Sequence, residues 1–345
     1  MTQDMMTPEV EQLRSTVRAL IRDHRTVERP DDPRIDASLW KKLAVEVGVA
    51  ALAIPDEFGG SGSGLLELSV VMEEIGSELA VVPLLASTGI AAAALAALGD
   101  TVDLPDIASG EKIATCALGT SVEVGEDGRL HGSIDIVLDA ANADILVLQT
   151  ADGQFHVVDM SAVEVVPLRV SDLTRCVSAV HLEAALSRPL ATQDPEAVAT
   201  ALGDRINLLL ASEQLGSMRK CIGISVEYAK MRHQFGRPIG SFQAVKHRLA
   251  DMYATAQMAT VLVREAQRAA DQDPDTFGLA AAAARVFCDR AGQEVAQGTI
   301  QVHGGIGFTW EHVAHLYFKR ARSTPQLFGG SVATETLLSA RLGLT

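Results

Sequence analysis

Apolar residues recur at helical spacing from Thr7 to about Arg25, where Val10, Leu13, Val17, Leu20 and Ile21 share one face. A second apolar pattern from Ser38 to Val49 predicts another helix. The turn-rich stretch IPDEFGGSGSGLLE leads into two Ala/Leu-rich segments, Leu65–Glu78 and Pro83–Leu98, neither with an internal proline. The first third of the chain is therefore expected to be helical throughout. Near Gly110 the texture changes to short β-branched runs: Lys112–Leu118, Ile134–Leu138, Ile145–Gln149, Phe155–Asp159 and Ala179–Leu182. Gly-Asp, Asp-Gly and Asn-Ala pairs punctuate them, which predicts a compact β domain. After Pro195 long helices return, over Ala197–Met231, about Ser241–Asp271, Phe277–Val302 and, more briefly, Val332–Leu342. Phe242, Val245, Leu249, Met252 and Ala256 form an apolar stripe on the second of these. The expected fold class is α+β multidomain: an N-terminal helical domain over 1–109, a small middle β domain over 110–190 and a C-terminal four-helix bundle over 191–345.

A length of 345 residues suits two or three domains. Lys and Arg number 29 against 44 Asp and Glu, a net charge of −15, and no basic block interrupts the acidic background. Nucleic acid and anionic membrane surfaces are thereby poor partners. Cys116, Cys176, Cys221 and Cys288 lie far apart without a CxxC pair, which argues against a zinc site and a disulfide framework and for a reducing compartment. The opening residues carry acids and no apolar core, and the most apolar stretch, Ile90–Leu98, is too short to span a bilayer. A cytoplasmic protein without a membrane partner is expected. Only seven of the 29 basic residues are lysines and alanine is abundant, as in high-GC genomes such as those of actinobacteria.

Two C-terminal stretches carry recognisable chemistry. One runs Met231-Arg232-His233-Gln234-Phe235-Gly236-Arg237-Pro238-Ile239-Gly240-Ser241-Phe242-Gln243 and continues into His247-Arg248-Leu249-Ala250-Asp251-Met252; the other is Gln301-Val302-His303-Gly304-Gly305-Ile306-Gly307-Phe308. With the N-terminal turn Ile54-Pro55-Asp56-Glu57-Phe58-Gly59-Gly60, these resemble, in order and spacing, the signatures of the acyl-CoA dehydrogenase family. The resemblance spans nearly the whole chain. It implies helices, a small β-barrel-like domain and a four-helix bundle, the order read above without it. It also implies an FAD held between subunits and desaturation of an acyl-CoA thioester across Cα and Cβ, with electron-transfer flavoprotein as acceptor. Such a reaction needs a carboxylate to take the α-proton, an oxyanion site for the thioester carbonyl, and flavin N5 to receive the β-hydride.

At the family's base position, in a Tyr-Glu-Gly-Thr-like motif, this chain reads Phe328-Gly329-Gly330-Ser331, so glycine stands for the glutamate. The family's alternate base precedes an arginine, nine and ten residues ahead of a Leu-Gly pair. Counting back from Leu215-Gly216 gives Ile206 and Asn207, neither of which accepts a proton at neutral pH. Asp204 lies two residues away, about 200° around a helix, and is better read as a first-turn acid complementing the helix dipole. No catalytic residue is assigned to this chain.

The resemblance leaves the flavin site lopsided. The family's two isoalloxazine-gripping strands are replaced by Cys116-Ala117-Leu118-Gly119-Thr120-Ser121 and Ile136-Val137-Leu138-Asp139-Ala140. The residues that lend a neighbouring subunit its pyrophosphate and adenosine contacts are retained as Arg232, Phe235, Gln301, Gly304 and Gly305, with Gln234 and Gln243 as additional cofactor-binding candidates. Guanidinium neutralises pyrophosphate, glutamine donates to its oxygens, and paired glycines admit close approach. Taken singly, each has a plain reading as a solvated helix end or a helix-terminating turn. His303, His312 and His315 are expected to be bundle-surface histidines, since no third metal ligand accompanies the His312–His315 spacing.

Short family members from actinobacteria work as unequal pairs, in α2β2 tetramers, on bulky substrates such as steroid side-chain CoA thioesters. The leading expectation is therefore a base-lacking subunit whose sibling carries the base. A homo-oligomeric dehydrogenase using Asp204 or Glu213, and a flavin-free CoA-binding scaffold, stay open as alternatives.

Overall fold

The computed structural model describes residues 7–24 and 35–344. The chain divides into two compact units, Met1–Val71 with Ala80–Ile206, and Met72–Leu79 with Asn207–Thr345. Among the described residues no helix is long and apolar enough to cross a membrane.

In the first unit α1 (Pro8–Asp23) starts where Thr7 accepts the Val10 N–H, with Pro8 following the cap. It buries Val10, Val17 and Ile21; Arg25, the expected end of this helix, lies outside the described residues. The segment read as one helix from Ser38 is instead a short α2 (Ala37–Lys41) that widens into a π-helix, Lys42–Val47, and stops at Gly48 with φ 79°. The helix α3 (Leu65–Glu78) matches its expected bounds. Pro83–Leu98 again differs, with a π-helix over Leu85–Ala91 preceding α4 (Ala92–Ala97). The wider turn has two uses here: Ser87 Oγ accepts the Ala114 N–H at 3.1 Å, and the Gly89 carbonyl accepts Arg205 Nε at 2.6 Å. A short α5 (Leu104–Ala108) leads into the strands.

The β domain consists of two four-stranded sheets. One holds β1 (Ala114–Ala117), β4 (Ile145–Gln149), β5 (Phe155–Asp159) and β8 (Arg188–Leu190), in that order. The other holds β2 (Glu123–Val124), β3 (Leu130–Leu138), β7 (Val177–Ala185) and β6 (Glu164–Pro167). Among the described residues only β1 and β4 pair in parallel. Leu130, Ile134, Val137, Leu146, Leu148, Val158, Val180 and Leu182 meet in a shared core. Two register shifts in β3 break the period-two alternation, which is why only its second half was legible as a strand.

In the second unit the long α6 (Pro195–Met231), which begins in the first, is followed by a two-residue ladder of β9 (His233–Gln234) and β10 (Arg237–Pro238). Then α7 (Gln243–Gln272) and α8 (Pro274–His303) pack along each other, joined by Asp273 alone. Small residues allow the close approach: Met252 packs against Gly298, where an added Cβ would fall 2.7 Å from its sulfur. A 3-10 turn over Gly304–Phe308, an unanticipated α9 (Ala314–Ser323) and α10 (Gly330–Arg341) complete the helical C-terminal domain. The stripe read on α7 is buried at Met252 and Ala256, while Phe242, Val245 and Leu249 remain partly exposed.

Candidate cofactor half-site

The first of the two C-terminal motifs caps α6. Arg232 N–H donates to Tyr228 O and Ile239 N–H to Arg232 O, folding the chain back on itself through the β9–β10 ladder. Its two-residue loop is Phe235-Gly236, both with positive φ (52° and 77°), a type I′ arrangement. Glycine adopts this conformation freely; a phenylalanine there is strained by roughly 1–3 kcal/mol. Phe235 is moreover 91% exposed, with only an edge-on contact to Phe242 at 6.1 Å. Strain and exposed aromatic surface coincide at a residue that gives the isolated chain nothing in return. Arg237 lies over the Phe242 ring at 4.1 Å. Arg232 and Gln243 are exposed, and among the described residues no carboxylate pairs with Arg232. Gln234 donates to the neighbouring His233 carbonyl.

The second motif ends α8. Gln301 is exposed, and Gly304 leaves the helix at φ 62° with its N–H still bonded to Gln301 and Ile300 carbonyls. A Cβ added at Gly304 or Gly305 would meet nothing within 4 Å, so open space lies over both glycines. The two motifs adjoin, because the Tyr228 ring, one turn before Arg232, stacks on His303 at 4.5 Å. His303 in turn lies 4.1 Å from His312, and Trp310 packs edge-on against His315 at 4.6 Å. This corrects the surface reading of these histidines: His303 is 3% and His315 9% exposed, and aromatic stacking, not solvent, surrounds them. Burial pulls the His303 and His312 pKa values down, and His303 and His315 lower that of His312 further. Among the described residues no group of three or more His, Cys, Asp or Glu is placed to hold a metal.

Comparison with known proteins decides the family. Residues 7–111 match the profile of the acyl-CoA dehydrogenase N-terminal domain, and residues 202–342 that of the acyl-CoA dehydrogenase C-terminal domain. The chain belongs to the acyl-CoA dehydrogenase family. It is 37% identical to acyl-CoA dehydrogenase IpdE2 of Mycolicibacterium smegmatis over 94% of this chain and 96% of that protein. Among solved structures it resembles the ChsE4-ChsE5 complex from Mycobacterium tuberculosis (TM-score 0.88, 30% identity, 98% of each chain). It also resembles a Tcur3481-Tcur3483 steroid ACAD variant (TM-score 0.87, 29% identity, 97% of this chain and 98% of that one).

The cofactor of this dehydrogenase family is FAD. An unpaired guanidinium, an exposed aromatic in a strained turn and a glycine cradle open to solvent fit an anionic dinucleotide. The segments standing at the flavin grips are instead tied up internally. Gly119 N–H donates to Gln149 Oε1, Thr120 Oγ1 to Gln149 O and Asp139 N–H to Cys176 O, while Cys116 and Ala117 are buried in β1.

The two positions at which the family resemblance would place a base carry no carboxylate. Gly329 has φ 86° and sits between Phe328 (φ 53°) and Gly330 (φ 80°), three successive left-handed residues. Behind them Ser331 Oγ reaches Asp289, whose carboxylate also accepts Arg285 Nε at 2.7 Å and Gln214 Nε2 at 2.8 Å. Ile206 and Asn207 are buried, at 2% and 7% exposure. Glu213 is 2% exposed and ion-paired with the buried Arg320 at 2.6 Å, a structural role. Asp204 is the tenth residue of a helix that starts at Pro195, so the first-turn dipole reading fails; it is a buried mid-helix acid. The sequence carried no signal for the Tyr228–His303 stack, nor for the left-handed Phe235, because Phe-Gly is not a usual type I′ pair.

Proposed function

We propose that this chain is the base-lacking subunit of an FAD-dependent acyl-CoA dehydrogenase, lending a sibling subunit the pyrophosphate and adenosine half of its cofactor site. The observation that carries this reading is a contrast within one chain. Arg232 and Phe235 are exposed and unsatisfied, while the position that would hold the base is a glycine in a left-handed backbone. Bound FAD supplies the hydride acceptor for α,β-desaturation. Arg232 would neutralise pyrophosphate, Gln234, Gln243 and Gln301 would donate to polar oxygens, and Gly304 and Gly305 would admit the adenosine edge. Phe235 would be covered on assembly, returning apolar burial for its strain. The partner is a sibling dehydrogenase subunit in an α2β2 assembly in the cytoplasm, and electron-transfer flavoprotein is the acceptor. A bulky steroid side-chain CoA thioester is the proposed substrate, supported by the likeness to a steroid ACAD.

The test is co-expression with a sibling acyl-CoA dehydrogenase that carries a glutamate at one of the two base positions. The chain alone should be colourless, and the complex yellow with about one FAD per heterodimer. Arg232→Ala should weaken FAD affinity roughly ten- to hundredfold, since a charge-assisted hydrogen bond is worth about 1.5–3 kcal/mol. Excess FAD should then restore most of the rate, because this chain performs no acid–base step. Gln301→Ala should act alike but more mildly. A homo-oligomer of this chain alone carrying stoichiometric FAD would overturn the pairing.

A further inference from the structure

Between the two motifs lies a stack of three rings, Tyr228, His303 and His312, in which both imidazoles have one nitrogen fixed by a backbone group. His303 Nδ1 faces the Thr299 carbonyl at 2.8 Å, which only accepts, so Nδ1 carries the proton. Its Nε2 is buried without a hydrogen-bond partner. His312 Nδ1 faces the Ala314 N–H at 3.1 Å, which only donates, so this nitrogen presents its lone pair. The bond to Ala314 requires His312 to be neutral, while at His303 it is the buried, partnerless Nε2 that disfavours a second proton; the two rings lie 4.1 Å apart. The Gly304–Phe308 turn folds back on the first of them, since a Cβ added at the buried Gly307 would fall 3.1 Å from His303 Cβ, and it leads through Thr309 into the segment that carries His312.

We propose that His303 and His312 are positioning residues that hold the Gly304–Phe308 turn only while both imidazoles are uncharged, so that the half-site loosens at mildly acidic pH. A proton on His312 Nδ1 would set donor against donor at Ala314, the first residue of α9. A proton on His303 Nε2 would stand where no acceptor meets it. The titratable groups facing the pair are Tyr228 from α6 and His315 from α9, and the exposed Glu311 that precedes His312 makes no ion pair with it among the described residues. Neither Tyr228 nor His315 carries a negative charge at neutral pH that would favour an imidazolium. Burial, which disfavours the charged form of both imidazoles, agrees with this arrangement. The functional consequence, though not the latch itself, rests on the half-site reading above.

Hydrogen exchange of the full chain at pH 7.5 and 5.5, corrected for intrinsic rates, tests the latch over residues 304–317. Opening that exposes one imidazole of ordinary pKa should lower protection about tenfold across this interval. His312→Asn keeps an acceptor for the Ala314 N–H without titrating and should lower the loss to what His303 alone produces; His303→Asn should do the converse, and the double variant should lose none. Equal protection of the wild type at both pH values, or an undiminished loss in the double variant, would overturn the proposal. FAD retention by the co-expressed complex is the separate readout. If exchange responds and retention does not, the half-site reading fails and the latch stands; if retention falls while exchange is flat, the latch is wrong.

Discussion

Gly216→Ala should be among the most damaging small substitutions in the chain, although it lies mid-helix, where alanine is normally preferred by about 0.5–1 kcal/mol. The second half of α3 and α6 cross at backbone contact. A Cβ at Gly216 would fall 1.8 Å from the Glu73 carbonyl oxygen, and reciprocally one at Gly76 would fall 1.9 Å from that of Glu213. Ordinary contact begins near 3.4 Å, so the helices would have to part by about 1.5 Å. That movement strains Ser217 Oγ to Gly76 O (2.8 Å), Lys220 to Glu78 (2.8 Å) and Arg219 to Glu73 (2.6 Å), all spanning the same crossing. Overpacking of this kind costs roughly 1–3 kcal/mol and a lost buried hydrogen bond about 1 kcal/mol. Offsetting the propensity gain leaves a net loss of about 1–3 kcal/mol. Gly223, on the same helix, has nothing within 4 Å of its added Cβ, so Gly223→Ala should stabilise by up to about 1 kcal/mol. Urea unfolding of the two variants beside the wild type reads the difference. Equal midpoints for Gly216→Ala and Gly223→Ala would refute the backbone crossing as the cause.

Three further outcomes are expected. Glu213→Ala should destabilise the fold by about 1–3 kcal/mol by removing a buried charge-assisted partner of Arg320, whereas Asp204→Asn in the assembled enzyme should keep turnover within a few-fold, since losing a true base costs roughly 10²–10⁴; denaturation and steady-state rates separate the two. Gly329→Glu should confer no dehydrogenase activity on this chain alone and should lower its stability by about 1–2 kcal/mol, because φ 86° strains any L side chain; activity gained would mean the loop accepts a base. Burial pushes the Cys116 and Cys221 thiols up to about 12, and Cys176 and Cys288 are buried as well, so a thiol reagent at pH 8 should label the native chain at none of the four and the urea-unfolded chain at all.

The order helical, β, helical was legible because each segment's apolar period is set by residues a few positions apart, as in Leu65–Glu78, Ile145–Gln149 and Phe155–Asp159, whose bounds the structure reproduces. The family motifs were legible for the same reason: Arg232 to Phe235 and Gln301 to Gly305 are local strings of chemistry. What depends on distant neighbours was not. The π-helix at Leu85–Ala91 has its Ser87 hydroxyl bound by the Ala114 N–H and its Gly89 carbonyl by Arg205, partners distant in sequence. His303 and His312 read as surface polar residues until α6 laid Tyr228 against one of them and the turn returned the other to its side. Asp204 looked like a first-turn acid because Gly203 resembles a helix boundary, yet the helix runs through it from Pro195. Glu213 could be a base or a structural anion until Arg320, more than a hundred residues later, settled beside it. Sequence by itself determined the succession of elements and the identity of the chemical groups, since both follow from near-neighbour geometry. Only the tertiary structure decided which groups are buried, paired or left open, because burial and charge pairing are properties of residues brought together by the whole folded chain.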